Sequence, residues 1–367
     1  MKDLQDFLSN DLLPLAQQYQ DLQLGSAIQT DISDISDAEI VIVGCDVTGE
    51  EAFQGSANAI REKLYAMYYW HSQVKIADLG NIKQGSTVRD TIAALRVVLE
   101  ALKEAGKTVV LLGAGHELTL EQYKPFKKNK EIIDVSVTDM LIDLEESESV
   151  SEESFLMELL TGQPNYIRHY NHIGFQSYYV QPKMLESLDK LRFDFYRLGK
   201  VRANMEDMEP VLRNTHLYSF DINAVKYSDA PANKGGSPNG FTGDEACLLT
   251  RYAGMSSVLS SLGIYGYKPA QDLHGLTATL IAQMIWYFID GYLVRKQEAP
   301  LTEESAFLKF YLQIEEQETI FLKSKKTNRW WMQLPDQQYI PCSYLDYKFA
   351  TENQIPERWL REQERLV

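Results

Sequence analysis

Histidine and carboxylate side chains, the residue types that bind divalent metal ions, occur together in short segments of this chain. Four segments stand out: GAGHE (Gly113–Glu117), DMLID (Asp139–Asp143), SFDIN (Ser219–Asn223) and GFTGDE (Gly240–Glu245). In an extended segment, side chains two positions apart leave the backbone on the same face, so Asp139 and Asp143 can converge on one cation. A divalent ion held in this way can lower the pKa of its bound water to near neutrality, which suggests hydrolytic chemistry.

Short β-branched or aromatic runs precede these segments and predict the strands that position them. Six runs are predicted as strands: Glu39–Cys45, Lys107–Gly113, Glu131–Thr138, Asn171–Phe175, Arg192–Leu198 and His216–Phe220. Three periodic runs are predicted as helices: Val88–Leu102, with Thr87 and Asp90 as its capping pair, Ala246–Leu262 and Leu276–Leu293. The alternation of strand and helix indicates a three-layer α/β/α fold with a mainly parallel sheet covered on both faces.

The candidate metal-binding side chains fall just past the carboxyl ends of three predicted strands: His116, Asp139, Asp143 and Asp221. Open α/β sheets place their sites at this edge. Three aspartates in one crevice repel one another, so without a cation at least one of them must bind a proton or a basic partner. The presence of all three beside His116 therefore favours one bound cation.

In order and spacing, the four segments resemble those of the arginase and agmatinase (ureohydrolase) family. Family members usually read GG(D/G)H, DAHxD, S(F/I)DxD and G(L/F)(T/S)xxE there. The segments GSANAIREKLY at Gly55–Tyr65 and DLGNI at Asp78–Ile82 extend the resemblance, which covers residues 40–293. Within the family, IGFQSYY at Ile173–Tyr179 and SPNGFT at Ser237–Thr242 are similar to the formimidoylglutamase-type branch. The resemblance implies an arginase-like fold.

The resemblance also implies four metal ligands: His116, Asp139, Asp143 and Asp221. In the family, the aspartates that match Asp139 and Asp221 bridge two Mn²⁺ ions. Two further ligand positions are replaced here, a histidine by Leu141 and an aspartate by Asn223. Leucine has no lone pair, and a neutral amide oxygen is a weaker ligand for a hard dication than a carboxylate. Since both replaced positions belong to the same metal in the family, we expect at most one divalent ion, and take it to be Mn²⁺.

Glu245 lies where the GxTxxE carboxylate of the family holds the guanidinium or amidine end of the substrate, which implies a substrate-binding role. The alternative is a solvated glutamate at a helix start, where the helix dipole favours a negative charge. For His116, the alternative to a metal ligand is a core histidine hydrogen-bonded to Asp221. The other histidines match no metal position and are interpreted as surface or structural residues: His71, His169, His172, His216 and His274. No side chain is assigned as the catalytic acid or base.

Composition excludes several classes of protein. The 367 residues carry a formal net charge of −16, which disfavours nonspecific binding to nucleic acid or anionic membranes. The N-terminal residues lack an apolar run of signal-peptide length, and no later run is long enough to span a bilayer, so a cytoplasmic location is expected. Cys45, Cys247 and Cys342 are far apart and odd in number, which fits reduced, buried thiols.

The family resemblance stops near Pro300, where the composition changes. We expect an arginase-like domain over residues 1–300 and a small C-terminal appendage over residues 301–367. The appendage contains Trp330, Trp331 and Trp359. These aromatic residues either pack the appendage onto the main domain, the interpretation that we favour, or mark a surface for a partner.

Three functions fit these observations. The first is a hydrolase that cleaves the C–N bond of a linear amidine or guanidine, such as formimidoylglutamate, slowly and with one metal. The second is a catalytically inactive relative that binds an amidine or guanidino ligand and acts in regulation. The third is a scaffold with no small-molecule role. The resemblance further implies a homo-oligomer, either a trimer or a hexamer.

Overall fold

The computed structural model of this protein describes residues 2–10, 19–46, 51–70, 72–145, 150–233, 235–314 and 317–366. It contains a nine-stranded sheet and, nearer the C-terminus, a four-stranded sheet. His71, one of the histidines considered above, lies outside the described residues. Within the described ranges, no helix is both long and apolar enough to cross a membrane.

The nine-stranded sheet is mainly parallel, as predicted. Its strands are β1 (Leu8–Ser9), β2 (Ile40–Cys45), β3 (Ile76–Ile82), β4 (Thr108–Gly113), β5 (Ile133–Thr138), β6 (Ile167–Phe175), β7 (Asp194–Arg197), β8 (Leu217–Asp221) and β9 (Ser261–Tyr265). They lie in the order β1-β3-β2-β4-β9-β8-β5-β6-β7. The short strand β1 pairs antiparallel with β3, and the other neighbouring pairs are parallel.

Helices cover both faces of this sheet, which gives the predicted three layers. They are α1 (Leu24–Ala27), α2 (Ser56–Tyr65), α3 (Val88–Glu104), α4 (Thr119–Lys128), α5 (Phe155–Thr161), α6 (Pro182–Lys190), α7 (Leu198–Ala203), α8 (Met208–Arg213), α9 (Gly243–Gly254) and α10 (Leu276–Gln297). Ile40 and Ile42 belong to the core formed with α2, α9 and α10, whereas Val41 and Val43 belong to the core formed with α3. Because successive strand residues point to opposite faces, one continuous apolar run in β2 supplies both cores.

All six predicted strands are present, and β6 begins four residues earlier than predicted. The predicted helix around Val88 is α3, and its capping pair is confirmed: Thr87 and Asp90 form a capping box. The helix predicted from Leu276 is α10. All three cysteines are buried, and none of them is in a disulfide bond.

The helix predicted over Ala246–Leu262 is wrong in its second half. Helix α9 ends at Gly254, and β9 takes up the last two residues of the predicted helix. Ser256 explains the break, because its hydroxyl donates to the carbonyl of Thr215 and accepts the backbone N–H of Leu259. A serine that bonds to nearby backbone in this way stabilises a turn in place of further helix.

An ion pair joins the two segments that extended the family resemblance. Arg61 of α2 donates from Nε to Asp78 Oδ2 at 2.8 Å and from Nη2 to Asp78 Oδ1 at 3.0 Å. Both side chains are fully buried. The Tyr65 hydroxyl donates a third hydrogen bond to Asp78 at 3.1 Å. Removal of one partner would leave a buried charge unpaired, so this pair fixes α2 against β3.

The four-stranded sheet is antiparallel and is followed by two helices. Its elements are β10 (Phe307–Ile314), β11 (Gln317–Ser324), β12 (Trp330–Gln333), β13 (Tyr339–Cys342), α11 (Tyr344–Thr351) and α12 (Glu357–Leu366). Trp330, Trp331 and Trp359 are each at most 7% exposed.

Buried arginines connect this second sheet to the first part of the chain. Arg213 of α8 donates to the Trp330 carbonyl at 2.6 Å, and its guanidinium lies 4.5 Å from the centre of the Trp331 ring. Arg329 pairs with Glu298 at 2.9 Å and donates to the Met255 carbonyl at 2.9 Å. These contacts bury charge between the two parts. The domain boundary near residue 300 remains a prediction.

Candidate metal site

The carboxyl ends of β4, β5 and β8 carry the predicted metal-binding side chains. His116 lies three residues after β4, and Asp139 follows β5 directly with Asp143 four residues later. Asp221 is the last residue of β8. Strands β5 and β8 are neighbours, and β9 separates β8 from β4. The order of the sheet therefore brings these segments to one edge.

The three aspartate side chains surround one atom, Nδ1 of His116. It lies 3.2 Å from Asp139 Oδ2, 3.4 Å from Asp143 Oδ2 and 3.5 Å from Asp221 Oδ2. All four side chains are buried. Ligand atoms of His116, Asp139 and Asp221 lie within 4.8 Å of one another, a spacing that can hold a metal ion. The structure thus brings together all four predicted residues, and their role as ligands remains a proposal.

Packing fixes the imidazole ring and one of the carboxylates. The His116 ring lies between Phe155, at a centroid distance of 4.6 Å, and Tyr265, at 5.5 Å. Gly266 has a positive φ of 83°, and a Cβ there would lie 2.7 Å from Asp221 Oδ1. Glycine at this position therefore leaves the space that the Asp221 carboxylate occupies.

Burial and mutual repulsion raise the pKa values of the carboxylates. Burial and the charge of Asp143 raise the pKa of Asp139 to about 6, and burial and the charge of Asp139 raise the pKa of Asp221 to about 8. Burial also raises the pKa of Asp143.

The same carboxylates favour the positively charged form of His116. Burial by itself lowers the pKa of His116, but hydrogen bonds to Asp139 and Asp143 and the charge of Asp221 outweigh it and raise this pKa well above 6.5. Without a metal ion, the cluster therefore holds protons at neutral pH, one of them on an imidazole that faces three carboxylates. This is an environment that attracts a positive charge.

The two replaced ligand positions are used differently. Leu141 is partly buried, and its backbone N–H donates to Asp139 Oδ1 at 3.3 Å. The backbone N–H of Asn223 donates to Asp221 Oδ1 at 2.7 Å, and its side-chain Oδ1 accepts the backbone N–H of Gly235 at 2.6 Å. Leu141 thus offers no donor atom, and the amide oxygen of Asn223 already has a partner.

Glu245, the predicted substrate-binding residue, is the third residue of a capping box at the start of α9. Its Oε2 accepts the backbone N–H of Thr242 at 2.8 Å, and its Oε1 pairs with Nε of Arg202 at 3.1 Å. The carboxylate therefore already contacts one guanidinium group, which belongs to this chain. Glu245 thus caps α9 in this structure, and its role in substrate binding remains a prediction.

Two residues next to the cluster were given no role from the sequence. The Ser219 hydroxyl is hydrogen-bonded to His116 Nε2 at 2.9 Å. His172 receives a hydrogen bond from the Tyr170 hydroxyl at 2.8 Å and donates from Nε2 to the Asp139 carbonyl at 3.3 Å. Burial lowers the pKa of His172 to about 3, so the ring is neutral. Strand periodicity could have indicated Ser219, because it lies two residues before Asp221 and shares its face.

Other histidines lie away from the cluster. His169 contacts Asp194 at 3.2 Å, and His216 accepts the backbone N–H of Asp134, near the amino end of β5. These contacts agree with the interpretation of both as structural residues.

Comparison with known proteins identifies relatives of this fold. The sequence model described as "Arginase family" matches residues 37–290. No curated protein matches the chain in sequence. Three solved structures illustrate the similarity in fold, each well below 25% sequence identity.

The crystal structure of Trypanosoma cruzi formiminoglutamase with Mn²⁺ superimposes with a TM-score of 0.67 at 18% identity, covering 75% of this chain and 100% of that chain. Formimidoylglutamase from Bacillus subtilis gives 0.65 at 15% identity, with coverage of 78% and 94%. Agmatine ureohydrolase of Thermoplasma volcanium gives 0.59 at 19% identity, with coverage of 82% and 100%.

Proposed function

Because this chain belongs to the arginase family, we propose that it hydrolyses the C–N bond of a linear amidine or guanidine with one bound divalent cation, Mn²⁺. The proposed ligands are His116, Asp139, Asp143 and Asp221. The single observation that carries the proposal is that Nδ1 of His116 lies within 3.5 Å of an oxygen of each of the three aspartates.

The residues present fit one cation of this kind. Carboxylate oxygens and an imidazole nitrogen are donors that Mn²⁺ accepts. Burial and mutual repulsion raise the pKa values of Asp139 and Asp221, and a divalent ion would supply positive charge in place of the protons that they bind. A second cation does not fit as well, because Leu141 has no donor and Asn223 Oδ1 is bonded to Gly235.

The reaction adds the oxygen of water to the amidine carbon and breaks a C–N bond, and the leaving nitrogen takes up a proton. When bound, the cation would act as a Lewis acid and lower the pKa of a bound water. The aspartates hold that charge in a buried site, and the hydrogen bond from His172 to the Asp139 carbonyl fixes the backbone beside it. Glu245 would orient the planar amidine end of the substrate, either displacing Arg202 or sharing the carboxylate with it.

Formimidoylglutamate is the substrate that we propose first. The segments Ile173–Tyr179 and Ser237–Thr242 are similar to the formimidoylglutamase-type branch, and two of the similar structures carry that activity in their names. Hydrolysis would give glutamate and formamide. We further propose a cytoplasmic homo-oligomer, a trimer or hexamer, on the basis of the family resemblance.

A second candidate function is a catalytically inactive relative that binds an amidine or guanidino ligand as a regulatory or scaffold protein. The observation that favours it is the loss of donors at Leu141 and Asn223. The ion pair between Arg202 and Glu245 also favours the inactive relative, because Arg202 occupies the carboxylate that we propose to bind the substrate.

Turnover with added Mn²⁺ distinguishes the two candidates. Glutamate release from formimidoylglutamate and urea release from agmatine would be measured for the wild type, Asp143→Asn and Asp134→Asn. Asp134 lies in the same loop-strand unit but at the amino end of β5, where it pairs with Arg168 at 2.6 Å. We expect Mn²⁺-dependent turnover that Asp143→Asn abolishes and Asp134→Asn retains. Absence of turnover with every substrate would favour the inactive relative.

A further inference from the structure

Arg202 contacts the carboxylate that we propose to bind the substrate, and most of its hydrogen-bond donors are unused. Its Nε donates to Glu245 Oε1 at 3.1 Å. A guanidinium group has five N–H donors in a planar fork, and among the described residues Arg202 has no second acceptor. The Arg202 side chain is 45% exposed. Its remaining donors are therefore available to a bound molecule.

Glu245 also keeps unused hydrogen-bonding capacity. Its Oε1 accepts from Arg202, and its Oε2 accepts the backbone N–H of Thr242. An ionised carboxylate offers about four lone-pair sites, so each oxygen can accept one more hydrogen bond. The Glu245 side chain is 16% exposed. A second cation can thus bind Glu245 while Arg202 stays in place.

Backbone hydrogen bonds hold the start of α9, and with it Glu245, beside the end of β8. The Phe241 N–H donates to the Ala224 carbonyl at 2.8 Å, and the Lys226 N–H donates to the Phe241 carbonyl at 3.0 Å. Ala224 lies three residues after Asp221 in the chain. Glu245 is therefore held at the carboxyl edge of the sheet, where the candidate metal site lies.

Packing fixes Arg202 from the other side. Its neighbour Val201 is 1% exposed and belongs to the same core as Ala246 and Leu249 of α9. Helices α7 and α9 thus share a core, and the Arg202–Glu245 pair lies between two packed elements.

We propose that Arg202 and Glu245 together select the substrate: Glu245 binds the amidinium or guanidinium group, and Arg202 binds a carboxylate attached next to it. The inference rests on the proposed function, in which Glu245 binds the substrate. In formimidoylglutamate, the carbon that bears the amidine nitrogen also bears a carboxylate. Such a ligand presents a positive group to Glu245 and a negative group to Arg202, so opposite charges face each other at both contacts.

A ligand without that carboxylate binds this pair less well. It leaves Arg202 with no new partner, and its own positive group approaches the Arg202 guanidinium. Agmatine adds a second positive charge in the form of an ammonium group, which increases the repulsion. Arg202 therefore disfavours cationic amines as well as favouring amidino and guanidino acids.

Calorimetric titration with guanidinoacetate and its uncharged amide would test this, because the two probes differ only in the carboxylate. The proteins would be the full-length wild type, Arg202→Gln and the control Lys200→Gln, each with Mn²⁺. Lys200 carries the same charge on the same helix but pairs with Glu357 at 3.4 Å.

We expect the wild type and Lys200→Gln to bind guanidinoacetate about 10-fold more tightly than the amide, and Arg202→Gln to show no preference. An unchanged preference in Arg202→Gln would overturn the inference, because Arg202 would then only join α7 to α9. Tighter binding of both probes by the same factor would also overturn it, because Arg202 would then only block Glu245.

The salt dependence of the wild type provides a test that needs no substitution. A partly exposed ion pair is screened by salt, so the preference for guanidinoacetate should fall between about 0.05 M and about 0.5 M NaCl. The contact of the guanidinium group with Glu245 is common to both probes and cancels in the ratio. A preference that is the same at both salt concentrations would contradict a role for Arg202.

Turnover of formimidoylglutamate by the same proteins distinguishes failure of this inference from failure of the proposed function. A preference for guanidinoacetate that depends on Arg202, without turnover, would support the inference and refute the hydrolase. Turnover with the same KM in the wild type and in Arg202→Gln would overturn the inference and leave the hydrolase in place. A wild type that binds neither probe would also overturn the inference.

Discussion

Two side chains decide how many cations the proposed site can hold. Leu141 has no donor atom, and Asn223 offers a neutral amide oxygen that already accepts the Gly235 N–H. The four remaining residues form a compact set around His116 Nδ1. The difference between one and two metal ions therefore depends on residue type at two positions.

Restoring both donors should restore the second cation. We expect the double variant Leu141→His, Asn223→Asp to bind a second Mn²⁺ and to hydrolyse formimidoylglutamate or a guanidino compound faster than the parent. Each single variant should stay close to the parent, because one added donor is too few for another ion. Metal content and initial rates of the four proteins would be compared.

Two results would contradict this prediction. A double variant that gains no metal would mean that the region around Leu141 is closed to a cation. A parent that already turns over these substrates at the rate of the double variant would mean that the replacements are not what limits it.

The raised pKa values predict how stability depends on pH without metal. Asp139, with a pKa of about 6, and Asp221, with a pKa of about 8, bind protons in the folded state that an unfolded aspartate releases near pH 4. The folded state therefore binds more protons across this window, and stability falls as pH rises. His116, with its raised pKa, acts in the same direction above about pH 6.5.

Thermal unfolding in chelator at about pH 6 and about pH 8 would measure this effect. We expect a lower Tm at the higher pH, and we expect Mn²⁺ to remove the difference because it replaces the protons. A metal-free protein that is more stable at the higher pH would show that the pKa values of these carboxylates are not raised in the folded state.

At the scale of elements, the capping box of α9 both stabilises the helix and holds Glu245, the proposed substrate-binding residue. Thr242→Ala and Thr87→Ala each remove an N-cap side chain and should each cost about 1 kcal/mol of unfolding free energy. We expect only Thr242→Ala to raise KM, because its box contains Glu245. Denaturant unfolding and steady-state kinetics would test the pair. Equal KM values for the two variants would argue against a role for Glu245 in substrate binding.

Sequence predicts those elements whose local pattern is unambiguous. The run in β2 is apolar throughout because both of its faces are buried, and Thr87 with Asp90 is a capping signal at short range. Strand β9 was missed because Ser261–Tyr265 continues an apolar spacing that began in α9, and a side-chain bond from Ser256 to a distant carbonyl breaks the helix.

The same limit applies to the site. The four acidic and imidazole residues were predictable from motif and strand position, because residue type carries the donor chemistry. The hydrogen bond from His172 to the Asp139 carbonyl was not predictable, because it joins β6 to the end of the neighbouring strand β5. The contact of Arg202 with Glu245 likewise depends on how α7 and α9 meet in space.

At the scale of the whole molecule, the four-stranded sheet packs against α8 and against the segments that follow α9 and α10. Trp331 lies against the guanidinium groups of Arg213 and Arg329, and Arg329 pairs with Glu298 just before the appendage. Arg213, Arg329 and Trp331 are each at most 6% exposed. The proposed appendage therefore protects apolar and charged groups of the main domain from water.

Removal of Leu301–Val367 should lower thermal stability or solubility, because it uncovers that surface and leaves Arg213 and Glu209 without the neighbouring Arg329. Calorimetry and light scattering of the truncated protein would measure both. A truncated protein with the same Tm that stays dispersed would instead support an independent module, and the partner-surface interpretation of the tryptophans would gain weight.

The number of Mn²⁺ ions bound per chain tests the central claim most directly. Full-length protein would be incubated with excess Mn²⁺, freed of loosely held metal by gel filtration and analysed by mass spectrometry for metal content. The account predicts one ion per chain in the wild type and none in a variant with Asp139→Ala and Asp221→Ala. Two ions per chain at full occupancy, with one beside Leu141, would contradict it.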